Sequence, residues 1–251
     1  MKRIFLTALA AGLATVSFAQ RAFILAHQPK KGFITLAAGT SLPVGDFGCQ
    51  TVSDPRAGMA IQGVAANVAV GYQFLGPVGL TARFEHHSNA LKASSLLNAL
   101  VMNEGDQWSA KAGNWAVSTL MGGPYVHIPF NGLLSLDARV MAGRASATCP
   151  STSLEGTVDQ TPMWVKTTGG SSTATSFGGG VTLRYRVGRS VSFNVNSDYT
   201  RANFRFDNLT STAQTGNGRA QSGFYSSDQL ISSVTLTAGV SILFANRQRP
   251  F

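Results

Sequence analysis

Charge is scarce in this sequence. Asp, Glu, Lys and Arg make up 12% of its 251 residues, while 44% are hydrophobic. A soluble domain carries roughly 25% charge, and a disordered chain combines high charge with few apolar residues. Disorder is therefore excluded. Only two cysteines are present, too few for a disulfide-dense scaffold, and Cys49 and Cys149 lie too far apart for a metal-binding spacing. Glycine is plentiful but has no period, which excludes a collagen-like chain. Long apolar runs are also missing from the body of the chain. The uncharged stretch 57–82 contains Gln62, Asn67, Gln73 and Gly76-Pro77, and 112–136 contains Asn114, Ser118, Pro124, Pro129 and Asn131. Neither suits a helix in hydrocarbon. What remains is a globular protein with few charges, or one whose solvent is partly lipid.

The N-terminus has the pattern of a secretory signal peptide over 1–19. Lys2 and Arg3 form a basic start, Ile4 to Val16 an apolar stretch, and Ser17-Phe18-Ala19 a small-residue cleavage site before Gln20. Gln20 also leaves no cysteine for a lipid anchor. Export into an oxidising space permits a disulfide between Cys49 and Cys149.

The rest of the chain alternates with period two. Val191, Phe193 and Val195 oppose Ser192, Asn194 and Asn196; Val234, Leu236, Ala238, Val240, Ile242 and Phe244 oppose Ser233, Thr235, Thr237 and Ser241. Side chains two apart on a strand share a face, so these are strands with one apolar and one polar side. The pattern predicts eight strands, over 32–41, 61–74, 78–88, 113–127, 133–143, 176–187, 190–200 and 233–244.

Their connections are of two kinds, in strict alternation. Three are short and rich in breakers: Leu75-Gly76-Pro77, 128–132 with Pro129 and Asn131-Gly132, and Gly188-Arg189. Four are expected to be long polar loops, over 42–60, 89–112, 147–173 and 204–230. Short turns at one end and long loops at the other are the signature of an outer-membrane barrel. The expected fold is all-β: an eight-stranded, antiparallel, up-and-down transmembrane β-barrel over 32–251, preceded by a short periplasmic segment over 20–31. The competing fold is a soluble exported barrel with its apolar face inside. Few charges on the polar face, and small residues such as Gly178, Gly180 and Gly239 crowding it, suit a confined interior better than a solvated surface.

The segment Gly32-Phe33-Ile34-Thr35-Leu36-Ala37-Ala38-Gly39-Thr40-Ser41-Leu42-Pro43-Val44-Gly45-Asp46-Phe47 resembles the opening strand of small outer-membrane β-barrel proteins common in the Bacteroidetes. Gly123-Pro124-Tyr125-Val126, with Pro129 and Leu134 to Arg139, resembles them too. The resemblance implies a barrel of the OmpA/OmpX shape in the outer membrane of a Gram-negative bacterium, with no assigned activity and no cofactor. Phe251 resembles the aromatic ending read by the barrel-assembly machinery, with Phe244 as the alternative strand end.

The polar parity points Arg83, Glu85, Asp137, Arg139, Arg184, Arg186 and Asp198 into a lumen that is narrow in an eight-stranded barrel. Unpaired buried charge is costly, so these residues are expected to pair and plug the lumen. Cys49 and Cys149 both fall at the outer end, where a disulfide would pin loops. The formal net charge is +9, but the basic residues are scattered rather than clustered. This disfavours nucleic acid and suits anionic lipopolysaccharide, with Arg201, Arg205 and Arg219 near the outer rim. Gly178-Gly179-Gly180 sits inside a strand and is no phosphate loop. The four histidines make no spaced metal cluster.

His86-His87-Ser88-Asn89-Ala90 resembles the His-x-Ser-Asn-Ala motif of the outer-membrane lipid A 3-O-deacylases, also eight-stranded barrels. The resemblance implies His86 as base and Ser88 as nucleophile on the lipid-facing wall. That family carries the motif on a late strand with an acidic partner about twelve residues past the Ser. Here it falls on the third strand, the corresponding position is Leu100, and the nearest acids are Glu104 and Asp106. The leading expectation is a structural or surface-interacting barrel that meets lipopolysaccharide or an extracellular ligand. A lipid A-directed hydrolase is the alternative.

Overall fold

The computed structural model describes residues 30–246 except 52, 55, 98–106 and 159–160. The signal segment, Leu100, Glu104, Asp106 and Phe251 lie outside the described residues. Eleven strands are found among them: β1 (Lys30–Pro43), β2 (Gly63–Leu75), β3 (Val78–Ala90), β4 (Gln107–Ala112), β5 (Asn114–Pro129), β6 (Leu134–Thr148), β7 (Thr152–Val158), β8 (Thr161–Thr167), β9 (Ser171–Arg186), β10 (Val191–Thr215) and β11 (Gln221–Asn246). A 3-10 turn spans Gly45–Gly48, and one short helix, α1, spans Ala93–Leu97. No described helix is long and apolar enough to cross a membrane.

Eight strands pair antiparallel in the order β1-β2-β3-β5-β6-β9-β10-β11, and β11 returns to β1 to close the ring. Closure leaves no edge within the barrel wall. The ring strands are the eight read from the sequence, most of them longer at the outer end. The short turns follow from local chemistry. Gly76 takes a φ of 55° between β2 and β3, a left-handed conformation that costs glycine little. Asn131 accepts hydrogen bonds from the backbone N–H of Leu133 (2.8 Å) and Leu134 (2.7 Å), bending the chain from β5 into β6.

The opposite end departs from expectation. The segment 204–230 is no loop: β10 and β11 run 25 and 26 residues, pair along their length and are joined by a short turn that begins at Gly216. The segment 147–173 forms the β7–β8 hairpin, which pairs with the far end of β10, and β4 from the 89–112 segment adds to β7. The same sheet therefore continues beyond the ring as an outer extension, β11-β10-β8-β7-β4. These segments are rich in Ser and Thr, which reads as loop, yet β-branched Thr suits a paired strand.

Along β10 the polarity inverts. Val191, Phe193 and Val195 face outward and Asn194, Asn196 and Asp198 inward. Further on, Ala202, Phe204 and Phe206 face inward and Arg201 and Arg205 outward. The same change occurs on β5, where outward Leu120 gives way to Ser118 as inward Trp115 and Val117 become apolar, and on β6, where Arg144 turns outward opposite Ala145 and Ala147. Below this level the wall is apolar outside, with Val140 64% and Phe177 63% exposed. Above it apolar side chains turn inward and charged ones outward on these strands. Phe47, from the 3-10 turn, enters the mouth and packs edge-on to Trp115 at 5.7 Å, Trp115 meets Phe206 at 5.9 Å, and Trp115 Nε1 donates to the Gly58 carbonyl. With Phe204, Leu209 and Ile231 they form a dry core closing the outer end.

Candidate functional site

Below that core the lumen is crossed by charge. Asp198 on β10 accepts from Arg83 on β3 and from Arg139 on β6, with Arg139 Nε at 2.9 Å. Arg83 also reaches Glu85, whose other partner is the Thr235 hydroxyl at 3.1 Å. Arg83 and Asp198 are 2% and 1% exposed. Gly180 stands beside Asp198, and a Cβ there would run into the carboxylate Oδ1. Polar side chains carry the network round the wall: Thr182 donates to Asn196, and Asn196 and Asn67 both donate to Thr237.

Nearer the short turns lies a second pairing. Arg184 Nη2 is 3.0 Å from Asp137 Oδ2, and His127 Nδ1 is 2.6 Å from Asp137 Oδ1. Arg184 lies over the ring of Phe33 at 4.1 Å from its centroid, and Phe33 packs edge-on to Tyr125. Arg186 stands apart from the crossing network, at the short-turn mouth, where it donates to the carbonyls of Gly188 and Arg189. His127, whose weak alternation hid its inward face, is the member that sequence reading missed.

The histidine motif divides between two faces. His87 is buried inward, and its Nδ1 donates to Asn89 Oδ1 at 2.9 Å, to which Ser41 also donates. His86 faces outward. Its Nδ1 lies in a hydrogen bond at 2.9 Å with the hydroxyl of Ser118, its register partner on β5. Ser88 shares the outward face, but the hydroxyl that His86 meets is that of Ser118, a neighbour only pairing reveals. Among the described residues no group of three or more His, Cys, Asp or Glu could hold a metal ion.

Cys49 and Cys149 are free thiols, both half-buried. The disulfide expected between them is not formed. Each is held by its own end of the outer structure: the Cys49 N–H donates to the Asp46 carbonyl beside the 3-10 turn, and Cys149 packs against the dry core. Burial pushes the Cys149 thiol above its ordinary range.

Arg201, Arg205 and Arg219 are exposed. Arg205 pairs with Asp207, whose carboxyl is held below its usual range by a hydrogen bond from Ser226 and by Arg205. Arg144 joins Arg201 on the outer face of the wall, separated from it by β9: Arg144 sits opposite Thr175, and Arg201 opposite Phe177.

No protein-family model and no curated protein sequence matches the chain. Among solved structures, it is similar to Neisserial surface protein A at 9% identity and a TM-score of 0.46, over 85% of this chain and 97% of that one. It is similar to a major outer membrane protein of Thermus thermophilus at 13% identity and a TM-score of 0.44, over 85% and 99%. The attachment invasion locus protein of Yersinia pestis is similar at 12% identity and a TM-score of 0.41, over 84% and 99%.

Proposed function

We propose that this chain is an outer-membrane β-barrel of a Gram-negative envelope, closed along its lumen, that acts at the cell surface through its outer sheet. One observation carries the membrane reading: charge is buried inside the wall while large apolar side chains are exposed around it. Water would not tolerate so broad an apolar belt. A bilayer accepts it, and the closed ring satisfies every strand without an edge. On this reading the short turns face the periplasm and the β10–β11 hairpin faces outward. Residues 1–19 are the export signal and the barrel-assembly machinery inserts the mature chain. The opening-strand resemblance over 32–47 groups it with the small barrels of the Bacteroidetes type.

The crossing ion pairs and the dry outer core support a structural lumen over a conducting one. Arg144 and Arg201, outward at the level where the wall turns polar, suit the phosphates of lipopolysaccharide. Heating tests the barrel: unboiled protein from detergent-extracted outer membranes should migrate differently from boiled protein, and identical mobility would overturn the reading. Planar bilayers should show no large stable conductance, and a steady porin-like current would overturn the closed lumen.

A second reading, a lipid-directed hydrolase, is favoured by one contact, that of His86 with Ser118. A base within reach of a hydroxyl is what nucleophilic catalysis needs. Mass spectrometry of lipid A incubated with the purified protein decides it. Loss of an acyl chain that vanishes in Ser118→Ala or Ser88→Ala supports the enzyme, and no loss retires it.

A further inference from the structure

The short-turn end of the barrel holds a cavity of about 590 Å³. Lys30, Lys31, Arg184, Arg186 and His127 line it, and no carboxylate does among the described residues. Asp137 stands behind this wall and is shared by Arg184 and His127. The lining thus gathers four permanent cations around one mouth. Arg184 is only 6% exposed, yet its Nε has no hydrogen-bond partner. Phe33 and Tyr125 contribute an aromatic floor.

We propose that this cavity binds an organic phosphate. Converging cations in a concave, partly apolar mouth raise the local concentration of anions. A doubly charged phosphate matches the excess better than a single carboxylate does. Arginine offers a planar fork to its oxygens and lysine a point charge. The aromatic floor receives the organic body. The outer-membrane reading enters only through orientation: it turns this mouth toward the periplasm, where the phosphate is either a soluble ester or the headgroup of an inner-leaflet phospholipid.

The test uses the full barrel in phosphatidylcholine nanodiscs, titrated with glycerol 3-phosphate by calorimetry. Saturable binding is expected, weakened about tenfold or more in a Lys30→Gln, Lys31→Gln double variant and in Arg186→Gln. Heat-shifted gel mobility certifies each sample as a folded barrel, so a failed barrel is told apart from a failed site. Repeating the titration in phosphatidylglycerol nanodiscs separates the sources. Binding that disappears there identifies a lipid headgroup as the occupant, and binding that persists identifies a soluble ester. Absence of binding by the folded barrel in phosphatidylcholine, or equal binding by both variants and wild type, overturns the proposal.

Discussion

Arg83 and Asp198 stand on strands that are diametrically opposite in the ring, β3 and β10, and their side chains meet across the lumen. The pair is therefore a strut between walls rather than a contact between neighbours. Arg139 joins it from β6, so one carboxylate ties three strands together.

Removing that carboxylate should leave two guanidinium groups facing each other in a buried interior. Breaking a buried pair by deleting one partner costs about 3–5 kcal/mol. Asp198→Ala should lose stability on that scale in urea unfolding from micelles. An unchanged midpoint would mean that the crossing pair contributes little.

The outward parity is equally exposed to test. Val195 and Leu236 face out from the ring, and Arg in place of either should cost about 2–4 kcal/mol near the bilayer midplane. Variants Val195→Arg and Leu236→Arg that insert into bilayers as well as wild type would show the belt to be misplaced.

Phe47 seals the outer core from the loop side. Phe47→Ala should cost about 3–5 kcal/mol, the range for a buried aromatic, and let water reach Trp115. A red shift of tryptophan emission, with the heat-shifted mobility retained, is the expected outcome. An unchanged spectrum would show that the mouth closes without Phe47.

Burial favours the neutral Cys149 thiol, so it should remain protonated at neutral pH. Alkylation of the folded protein at Cys149 should be slow at neutral pH and accelerate only in alkaline solution, while denatured protein should titrate two thiols. Matching gel mobility with and without reductant completes the measurement, and a shift would restore the disulfide.

The ring was legible because alternation is strongest where one face meets lipid, as in 190–200 and 233–244. The lumen charges were legible by parity alone. Which of them meet was not: Arg83 and Asp198 are far apart in sequence and joined only by the closing of the ring. The outer sheet escaped for a different reason. Its strands keep period two, but the apolar parity switches part-way along β10. Phe193 and Val195 hold odd positions on the outward face, whereas Phe204 and Phe206 hold even positions on the inward one, and Ser and Thr beyond them dilute the contrast. Ser118 was hidden because a cross-strand partner depends on register, which strand periodicity does not supply.

The inversion of polarity along β10 works as a depth gauge. Sinking the barrel by two residues would carry Arg201 into hydrocarbon, and raising it by the same step would lift Phe177 and its neighbours into water. Each move is penalised from its own side, so the wall has one resting height in the bilayer. Lipid thickness should then adapt to the protein rather than the protein to the lipid.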